Sequence, residues 1–210
     1  MFSRIVRDYD RMNRLMSLGL DKAWRWRAAA ECRGLVLDLC CGTGDMALAS
    51  SKRGLSVIGL DGDMTMLRAA RGKSEGMPLV LADATRLPFR NSSFDSVSVA
   101  WGIRNIPDRP AALSEAMRVL RPGGRCIVLE SVLPGNPLLR FLFRLYARFW
   151  IPLLARLVGT DPSAYRYFAG SVERFGQKSA FLREMTAAGF ERPRALDLSF
   201  GLVALFVGEK

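Results

Sequence analysis

The chain has 210 residues, a length that favours one α/β domain with a substantial core over two separate domains. It carries 31 lysines and arginines against 20 aspartates and glutamates, and the formal net charge of +11 predicts attraction to nucleic acids, anionic lipids or phosphorylated compounds. The sequence has no histidine, which excludes imidazole metal sites and histidine acid–base relays. Its four cysteines lack the spacing of a zinc site, so we expect no metal.

The predicted elements begin with an N-terminal helical cap over residues 1–30, whose early charges argue against an export signal and favour a cytoplasmic protein. From Gly34 onward, short apolar runs alternate with helix-like segments, which is the pattern of a doubly wound α/β fold with a parallel sheet covered on both faces. Strands are predicted at 34–39, 55–60, 78–82, 94–100 and 124–130, with helices after Asp45, from about Asp63 and over 110–120.

The later part of the chain first interrupts this alternation and then resumes it. Residues 134–175 are predicted to form a helical lid inserted after the ligand-binding core at 34–131. Residues 176–210 complete the single domain of 1–210 with a helix at 178–190 and strands at 194–200 and 202–208. The glycines of "RPGG" (121–124) predict left-handed backbone where a helix turns into the next strand.

A glycine-containing loop follows the first strand. Gly42 and Gly44 precede a helix, and glycine there lets the backbone approach a ligand closely while helix N–H groups face it. Asp61 closes the second strand, where an acid can accept both hydroxyls of a ribose. The loop also satisfies the GxGxxA pattern of dinucleotide sites, so these residues alone leave a nicotinamide cofactor open.

The segments after the third strand distinguish these cofactors. Asp83 and Ala84 follow that strand, and with "NSSFD" (91–95), "LSEAMRVLRPGG" (113–124) and the final strand pair they resemble class I S-adenosylmethionine-dependent methyltransferases with a Rossmann-like sheet. The resemblance implies that Asp61 binds the ribose and that Asp83, with Ala84, binds the adenine. It places the methionine half of the cofactor against Gly42, Thr43 and Gly44. Asp38, at the end of the first strand, is expected either to orient this loop or to touch the cofactor.

Further motifs resemble one family, the C-methyltransferases of ubiquinone and menaquinone biosynthesis, over nearly the whole chain. They are "FSRIVRDYDRMNRLMSLGLDKAWR" (2–25), "WGIRNIPD" (101–108), "YRYFAGSVERF" (165–175) and "GLVALFVGEK" (201–210). The resemblance implies that S-adenosylmethionine methylates a ring carbon of a prenylated quinol, and it leaves naphthoquinol against benzoquinol open. The chain departs from the family at Ala100, where a serine hydroxyl is common, and at Phe168 and Phe206, where leucine and histidine are common.

Ring methylation needs a phenolate, and a phenol with a pKa near 10 is mostly protonated at neutral pH. We expect Arg104 to stabilise the oxyanion, because its fixed cation and forked donors suit that role and it cannot readily act as a base. A water held by Arg104 and Asn105, or Tyr9 through a relay, is the expected proton acceptor. The alternative is that Arg104 only pairs with Asp8 or Asp10 and pins the N-terminal helix.

The apolar stretch "LLRFLFRLYARFWIPLLARL" (138–157) is not expected to cross a membrane. Its arginines are too frequent for a span, and Pro152 has no amide proton with which to continue a helix. We expect a helix lying in the interface of an anionic membrane, with packing into a soluble core as the alternative. The expected arginine stripe is Arg140, Arg144 and Arg148, and the expected apolar side is Leu142, Phe143, Leu145, Phe149 and Trp150.

Three other functions were compared with quinol methylation. A methyltransferase of another lipophilic phenol remains the main alternative. RNA methylation is disfavoured, because "WGIRNIP" stands where base N-methyltransferases usually carry an Asn/Asp-Pro-Pro-aromatic element, and no nucleic-acid partner is expected. A basic scaffold without catalysis is disfavoured by the intact loop glycines and Asp61. The sequence leaves homo-oligomerisation open.

Overall fold

The computed structural model describes residues 6–74, 76–158 and 162–210. Their central element is a seven-stranded sheet with the order β3-β2-β1-β4-β5-β7-β6. The strands are β1 (Leu35–Leu39), β2 (Ser56–Asp61), β3 (Leu79–Leu81), β4 (Phe94–Ala100), β5 (Leu120–Ser131), β6 (Glu191–Leu198) and β7 (Val203–Glu209). The first five strands pair in parallel, which confirms the predicted doubly wound sheet. The direction of β7 was not predicted, and this strand runs antiparallel to both β5 and β6.

The helices lie close to the predicted positions, although α9 ends at Ala187 and not at residue 190. They are α1 (Val6–Met16), α2 (Leu20–Ala29), α3 (Asp45–Ser51), α4 (Met64–Lys73), α5 (Arg109–Val119), α6 (Pro137–Leu145), α7 (Ile151–Val158), α8 (Pro162–Phe175) and α9 (Lys178–Ala187). None of the helices formed by the described residues is long and apolar enough to span a membrane.

The "RPGG" segment lies inside the first part of β5, because α5 ends at Val119 and the strand begins at Leu120. Gly123 has the expected positive φ of 74°, whereas Gly124 does not have a left-handed backbone. A Cβ at Gly124 would lie 2.9 Å from the Arg121 carbonyl oxygen, so space and not conformation requires this second glycine.

Two buried layers cover the sheet. One face packs Leu37, Val97 and Val99 against α5 and α9. The other face packs Val36 and Ile127 against α2 and α3. Because both faces are buried, the central strands consist almost entirely of apolar residues, which explains why their limits could be read from the sequence.

The predicted lid folds as α6, a π-helical turn (Tyr146–Trp150), α7 and α8. The expectation that Pro152 interrupts the helix is wrong, since α7 runs through it. The π turn immediately before α7 explains this, because a proline needs the preceding turn to release its usual backbone hydrogen bond and to make room for the ring. Lid and cap pack against each other through a third buried cluster that includes Met12, Phe143, Ile151 and Val172.

Candidate functional site

The two glycines of the loop after β1 have left-handed backbone conformations. Gly42 and Gly44 have φ values of 56° and 86°, and Gly44 caps the N-terminus of α3. A Cβ added at Gly42 would meet no heavy atom within 4 Å, so the backbone borders open space at this point. This geometry suits close approach of a polar ligand to the loop.

Asp61 connects the end of β2 to this loop. Its Oδ2 accepts a hydrogen bond from the Gly42 amide at 2.8 Å, and its Oδ1 accepts one from the Asp63 amide at 2.9 Å. Burial raises the pKa of the carboxyl, and the backbone donors oppose that rise. A carboxylate has about four acceptor positions, so Asp61 can still accept a hydrogen bond from a ribose.

A cavity of about 440 Å³ lies beside Asp61, at the carboxyl edge of β2, β3 and β4. Asp83 and Ala84, the two residues expected to hold adenine, line it, and Leu60, Leu81 and Ile106 supply apolar surface. The amide and the hydroxyl of Thr85 both donate to the Asp83 carboxylate and hold its pKa below the usual range. An exposed ionised acid above an apolar slot is suited to an adenine ring and its amino group, and the residues present therefore fit the nucleoside of S-adenosylmethionine.

Asp38 differs from the other acids because its side chain is 1% exposed. Its Oδ1 accepts from the Ser98 hydroxyl of β4 at 2.7 Å. Burial raises its pKa to about 7, and the Ala47 amide of α3 opposes that rise. These contacts favour the interpretation in which Asp38 orients the loop and α3 from inside the core.

The cap closes over the glycine loop through Thr43. The Thr43 hydroxyl donates to Asp10 Oδ1 of α1 at 2.6 Å, and Lys73 of α4 forms an ion pair with the same aspartate. Lys73 Nζ also lies 2.9 Å from Asp45 Oδ1. Asp10 therefore pairs with Lys73 and not with Arg104, so that part of the alternative is wrong. The side chain of Asp8 lies outside the described residues.

A second cavity, of about 450 Å³, lies between the cap, the lid and the loop after β4. Its lining is mostly apolar or aromatic, with a few polar groups. It includes Tyr9, Met16, Leu18, Trp24, Arg25, Trp101, Arg104, Leu139, Leu142, Phe143, Tyr146, Tyr167 and Phe168. The Tyr146 hydroxyl donates to the Met16 carbonyl at 2.6 Å and so joins lid to cap at this cavity.

Arg104 lines the second cavity from a 3₁₀ turn (Ile103–Asn105), and its side chain is 7% exposed. Its Nη1 forms an ion pair with Glu130, a fully buried residue near the end of β5, and donates to the Trp101 carbonyl at 3.1 Å. Its Nε donates to the Ser171 hydroxyl of α8 at 3.0 Å. The acidic partner of Arg104 is therefore Glu130, which sequence reasoning missed, and not Asp10.

Asn105 and Tyr9 lie on different sides of this turn. Asn105 lines the first cavity, and its side-chain oxygen accepts from the Tyr167 hydroxyl at 3.3 Å. Tyr9 lines the second cavity, where burial raises the pKa of its phenol and the guanidinium groups of Arg104 and Arg25 oppose that rise. The segment 101–107 is therefore the wall between the two cavities, because Trp101 and Arg104 line one and Asn105, Ile106 and Pro107 line the other.

The sequence prediction missed two candidate residues, Glu130 and Arg25, and only the first has a recognisable signal in the sequence. Glu130 is an acid near the end of a buried strand, the same signal that identified Asp61, and could have been found by it. Arg25 lies on α2 and lines the second cavity, but only the packing of α2 against the core brings it there. Among the described residues, no group of three or more histidine, cysteine or acidic side chains could hold a metal ion.

Comparison with known proteins finds relatives that match the whole chain. The model of the ubiE/COQ5 methyltransferase family matches residues 1–210. The chain is 43% identical to the ubiquinone/menaquinone biosynthesis C-methyltransferase UbiE of Syntrophotalea carbinolica, covering 99% of this chain and 92% of the relative. It is 41% identical to the demethylmenaquinone methyltransferase of Thermus thermophilus, covering 100% of both. A solved S-adenosylmethionine-dependent methyltransferase of Thermotoga maritima has the same fold, with a TM-score of 0.73, 22% identity and coverage of 100% and 98%.

Proposed function

The chain belongs to the ubiE/COQ5 methyltransferase family, and from this membership we propose that it methylates a ring carbon of a prenylated quinol precursor of menaquinone or ubiquinone. It is an S-adenosylmethionine-dependent C-methyltransferase with the class I fold. The observation that carries the proposal is the pair of cavities on either side of segment 101–107, one polar at its rim and one largely apolar.

S-adenosylmethionine would be held by residues that border the first cavity and the glycine loop. Asp61 would accept from the ribose, Asp83 and Ala84 would hold the adenine, and the loop at 42–44 would meet the methionine half. When bound, the cofactor supplies an electrophilic methyl group. Asp38 would act indirectly, by fixing the loop from the core.

Arg104 would favour the phenolate form of the quinol in the second cavity. Its described hydrogen bonds use Nε and Nη1, and the two N–H groups of Nη2 can donate hydrogen bonds to a ligand oxygen. Donors fixed in advance in a low-dielectric site are stronger than the same donors in water. Glu130 and Ser171 would act as positioning residues, because they fix the planar guanidinium from two directions.

The proton released from the ring carbon would pass to water near Arg104. Arg104 cannot accept it, since guanidinium keeps its proton throughout this pH range. Tyr9 lies at the same cavity, but the raised pKa of its buried phenol keeps it protonated, so it is suited to relay a proton and not to remove one by itself. Asn105 lines the cofactor cavity, where it would hold the wall through Tyr167.

Transfer of labelled methyl groups tests the proposed substrate. The protein is incubated with labelled S-adenosylmethionine and, separately, a short-chain demethylmenaquinol, a benzoquinol precursor of ubiquinone, an unrelated lipophilic phenol and bulk RNA. We expect label on the quinols only. Label on RNA, or on the unrelated phenol in preference to both quinols, would contradict the proposal. In Arg104→Lys, which keeps the charge and loses the fork, kcat is expected to fall much more than KM rises.

We further propose that the lid docks the enzyme on an anionic bilayer, where a prenylated substrate resides. The lid buries Phe143, Ala147 and Ile151. The prediction that Phe143 lies on the outward apolar side is therefore wrong. Its outward apolar surface consists of Leu138, Phe141, Leu142, Leu145, Phe149, Trp150 and Leu153.

This surface continues into the mouth of the second cavity. Leu142 is half-exposed and lines the cavity, as does Leu18, which is 89% exposed at the tip of the α1–α2 turn. Phe200, 86% exposed and at a positive φ of 59°, follows the cavity residue Ser199. A prenyl tail leaving the cavity would therefore meet apolar side chains directed toward the lipid, and the net charge of +11 favours an anionic surface.

The arginine stripe is less available than the sequence suggested. Arg144 pairs with Glu173 at 3.0 Å, and Arg140 donates to the Pro134 carbonyl, while Arg148 stacks on Phe149. Hydrogen bonds to carbonyls and stacking leave the charge intact, so Arg140 and Arg148 remain the stronger candidates for lipid phosphate contacts.

Vesicle sedimentation tests the docking surface. With vesicles rich in phosphatidylserine at low salt, the Arg140/Arg144/Arg148→Gln and Phe141/Phe149→Ser variants are each expected to bind several-fold more weakly than wild type. The Arg68/Arg71/Arg86→Gln control removes the same charge elsewhere and should bind nearly as wild type. Equal binding by wild type and both lid variants would contradict docking by the lid, and light scattering that shows a dimer dissociated by the phenylalanine variant would assign the surface to a second copy.

A further inference from the structure

Arg25 is a second buried arginine at the apolar cavity, and the proposed mechanism does not use it. Its side chain is 9% exposed and lines the cavity beside Trp101, with the guanidinium carbon 4.7 Å from the centroid of that ring. Asp21 of the same helix binds its Nη1. The Arg25 Nε is buried and has no hydrogen-bond partner among the described residues.

A buried, unsatisfied N–H on a charged group is costly, and such groups are normally paired with a protein acceptor, a water or a ligand. Arg25 and Arg104 share an arrangement that suits a ligand. Each guanidinium is fixed at Nη1 by a buried carboxylate, and each lines the second cavity. Tyr9 lines the same cavity as both arginines, and their charges oppose the rise in the pKa of its phenol.

We propose that Arg25 binds the second ring oxygen of the quinol, on the opposite side of the ring from the oxygen that Arg104 stabilises. This inference rests on the proposed function, because a hydroquinol carries two ring oxygens and a simple phenol carries one. The edge of Arg25 toward the glycine loop is already occupied by acids, with Asp21 bound to Nη1 and Asp45 Oδ2 at 3.9 Å from it. All the acidic contacts of Arg25 use Nη1, so the donors on the Nε and Nη2 side of the guanidinium are the ones left for an acceptor in the cavity.

Arg25 would thereby select quinols over monophenols. Losing a hydrogen bond to a charged donor whose site then stays unpaired lowers affinity by about tenfold or more. Wild-type enzyme should bind and methylate a short-chain 3-prenyl-1,4-naphthohydroquinone with at least tenfold lower KM than 3-prenyl-1-naphthol, which keeps the oxygen next to the reacting carbon and lacks the other.

The experiment measures the ratio of the KM for the naphthol to the KM for the hydroquinone, and compares it between wild type, Arg25→Gln and Arg27→Gln. Arg27 lies two residues along the same helix with an exposed side chain and is the matched control. We expect Arg25→Gln to reduce the preference for the hydroquinone to less than about threefold, through KM and not kcat, while Arg27→Gln keeps the wild-type ratio. The Asp21→Asn/Arg25→Gln double variant removes both members of the pair and should show the same loss if the single variant does not fold.

Two further measurements separate the inference from the proposed function. Trp24 and Trp101 line the cavity, so quenching of tryptophan fluorescence reports binding of both ring compounds even if no methylation occurs. An unchanged ratio in the folded Arg25 variants, by KM or by fluorescence, overturns the inference. Calorimetry should show that Arg25→Gln binds S-adenosylmethionine with an affinity within about twofold of wild type. A tenfold loss with the ratio preserved would overturn the inference by assigning Arg25 to the cofactor carboxylate.

Discussion

Replacing Glu130 with glutamine tests whether the ion pair under the second cavity positions Arg104. Glu130 is fully buried, binds Arg104 Nη1 and accepts from the Ser131 amide at 2.8 Å. Glutamine keeps the shape and one acceptor oxygen but removes the negative charge. Arg104, whose side chain is 7% exposed, is then a buried cation without its counter-charge.

Breaking a buried ion pair by removing one partner costs about 3–5 kcal/mol. Arg104 retains hydrogen bonds to Ser171 and to the Trp101 carbonyl, so we expect the lower end, a fall of about 3 kcal/mol in the free energy of unfolding. The same substitution should favour the reaction at low pH. A guanidinium without its counter-charge stabilises the phenolate and so lowers the pKa of the bound phenol. The acidic limb of the kcat–pH profile should move to lower pH by about one unit.

Urea unfolding at pH 7 and kcat measured from pH 5.5 to 9 on a short-chain hydroquinone give both quantities. Glu184→Gln is the control, since Glu184 pairs with Arg109 at 2.8 Å on a partly exposed surface, where such pairs contribute about 0–1 kcal/mol. The positioning role is refuted if Glu130→Gln loses no more stability than Glu184→Gln and leaves the acidic limb in place.

Two other predictions concern the cofactor side. In Asp61→Ala the ribose loses a charge-assisted acceptor that contributes about 1.5–3 kcal/mol, so calorimetry should show at least a tenfold loss of S-adenosylmethionine affinity in protein that circular dichroism shows to be folded. Unchanged affinity would remove Asp61 from the site. Folding raises the pKa of Asp38 from 3.8 to about 7, so the folded state binds this proton more tightly than the unfolded chain does. The tighter proton binding stabilises the folded state fully below pH 4, and this contribution is lost as the pH rises to 7. Relative to wild type, Asp38→Asn should therefore gain up to about 4 kcal/mol in unfolding free energy between pH 4 and 8, and a constant difference would contradict the raised pKa.

The strands, and the positions of Asp61 and Asp83 at the end of a strand, were predictable because each has a local signal. A strand buried on both faces is a continuous apolar run, and an acid directly after it reaches the ligand-binding edge of the sheet, as Asp61 and Asp83 do. Strand direction has no such signal. The run that forms β7 is equally apolar in either orientation, and only its pairing with β5 and β6 shows that it is antiparallel.

The second cavity was less predictable because its contacts join distant parts of the chain. Arg104 was identified, but its partner Glu130 is 26 residues away and Ser171 is 67 residues away. Asp10 was one of two possible partners of Arg104 in the alternative interpretation, whereas the packing of α1 against α4 brings it to Lys73. Charge alone predicts that these acids will find cations, and the packing of the helices decides which ones.

The lid shows why a helical wheel assigned one of its side chains to the wrong face. Phe143, Ala147, Ile151 and Ala155 are all buried although they are spaced by four residues. In a regular α-helix of 3.6 residues per turn that spacing drifts by about 40° a step, or about 120° over the three steps, which would carry the last residue off the core. The π turn at Tyr146–Trp150 takes up one extra residue, about 100°, and returns Ile151 and Ala155 to the buried side. The same irregularity precedes Pro152, so one local change in helix geometry both accommodates the proline and keeps the outward apolar surface continuous.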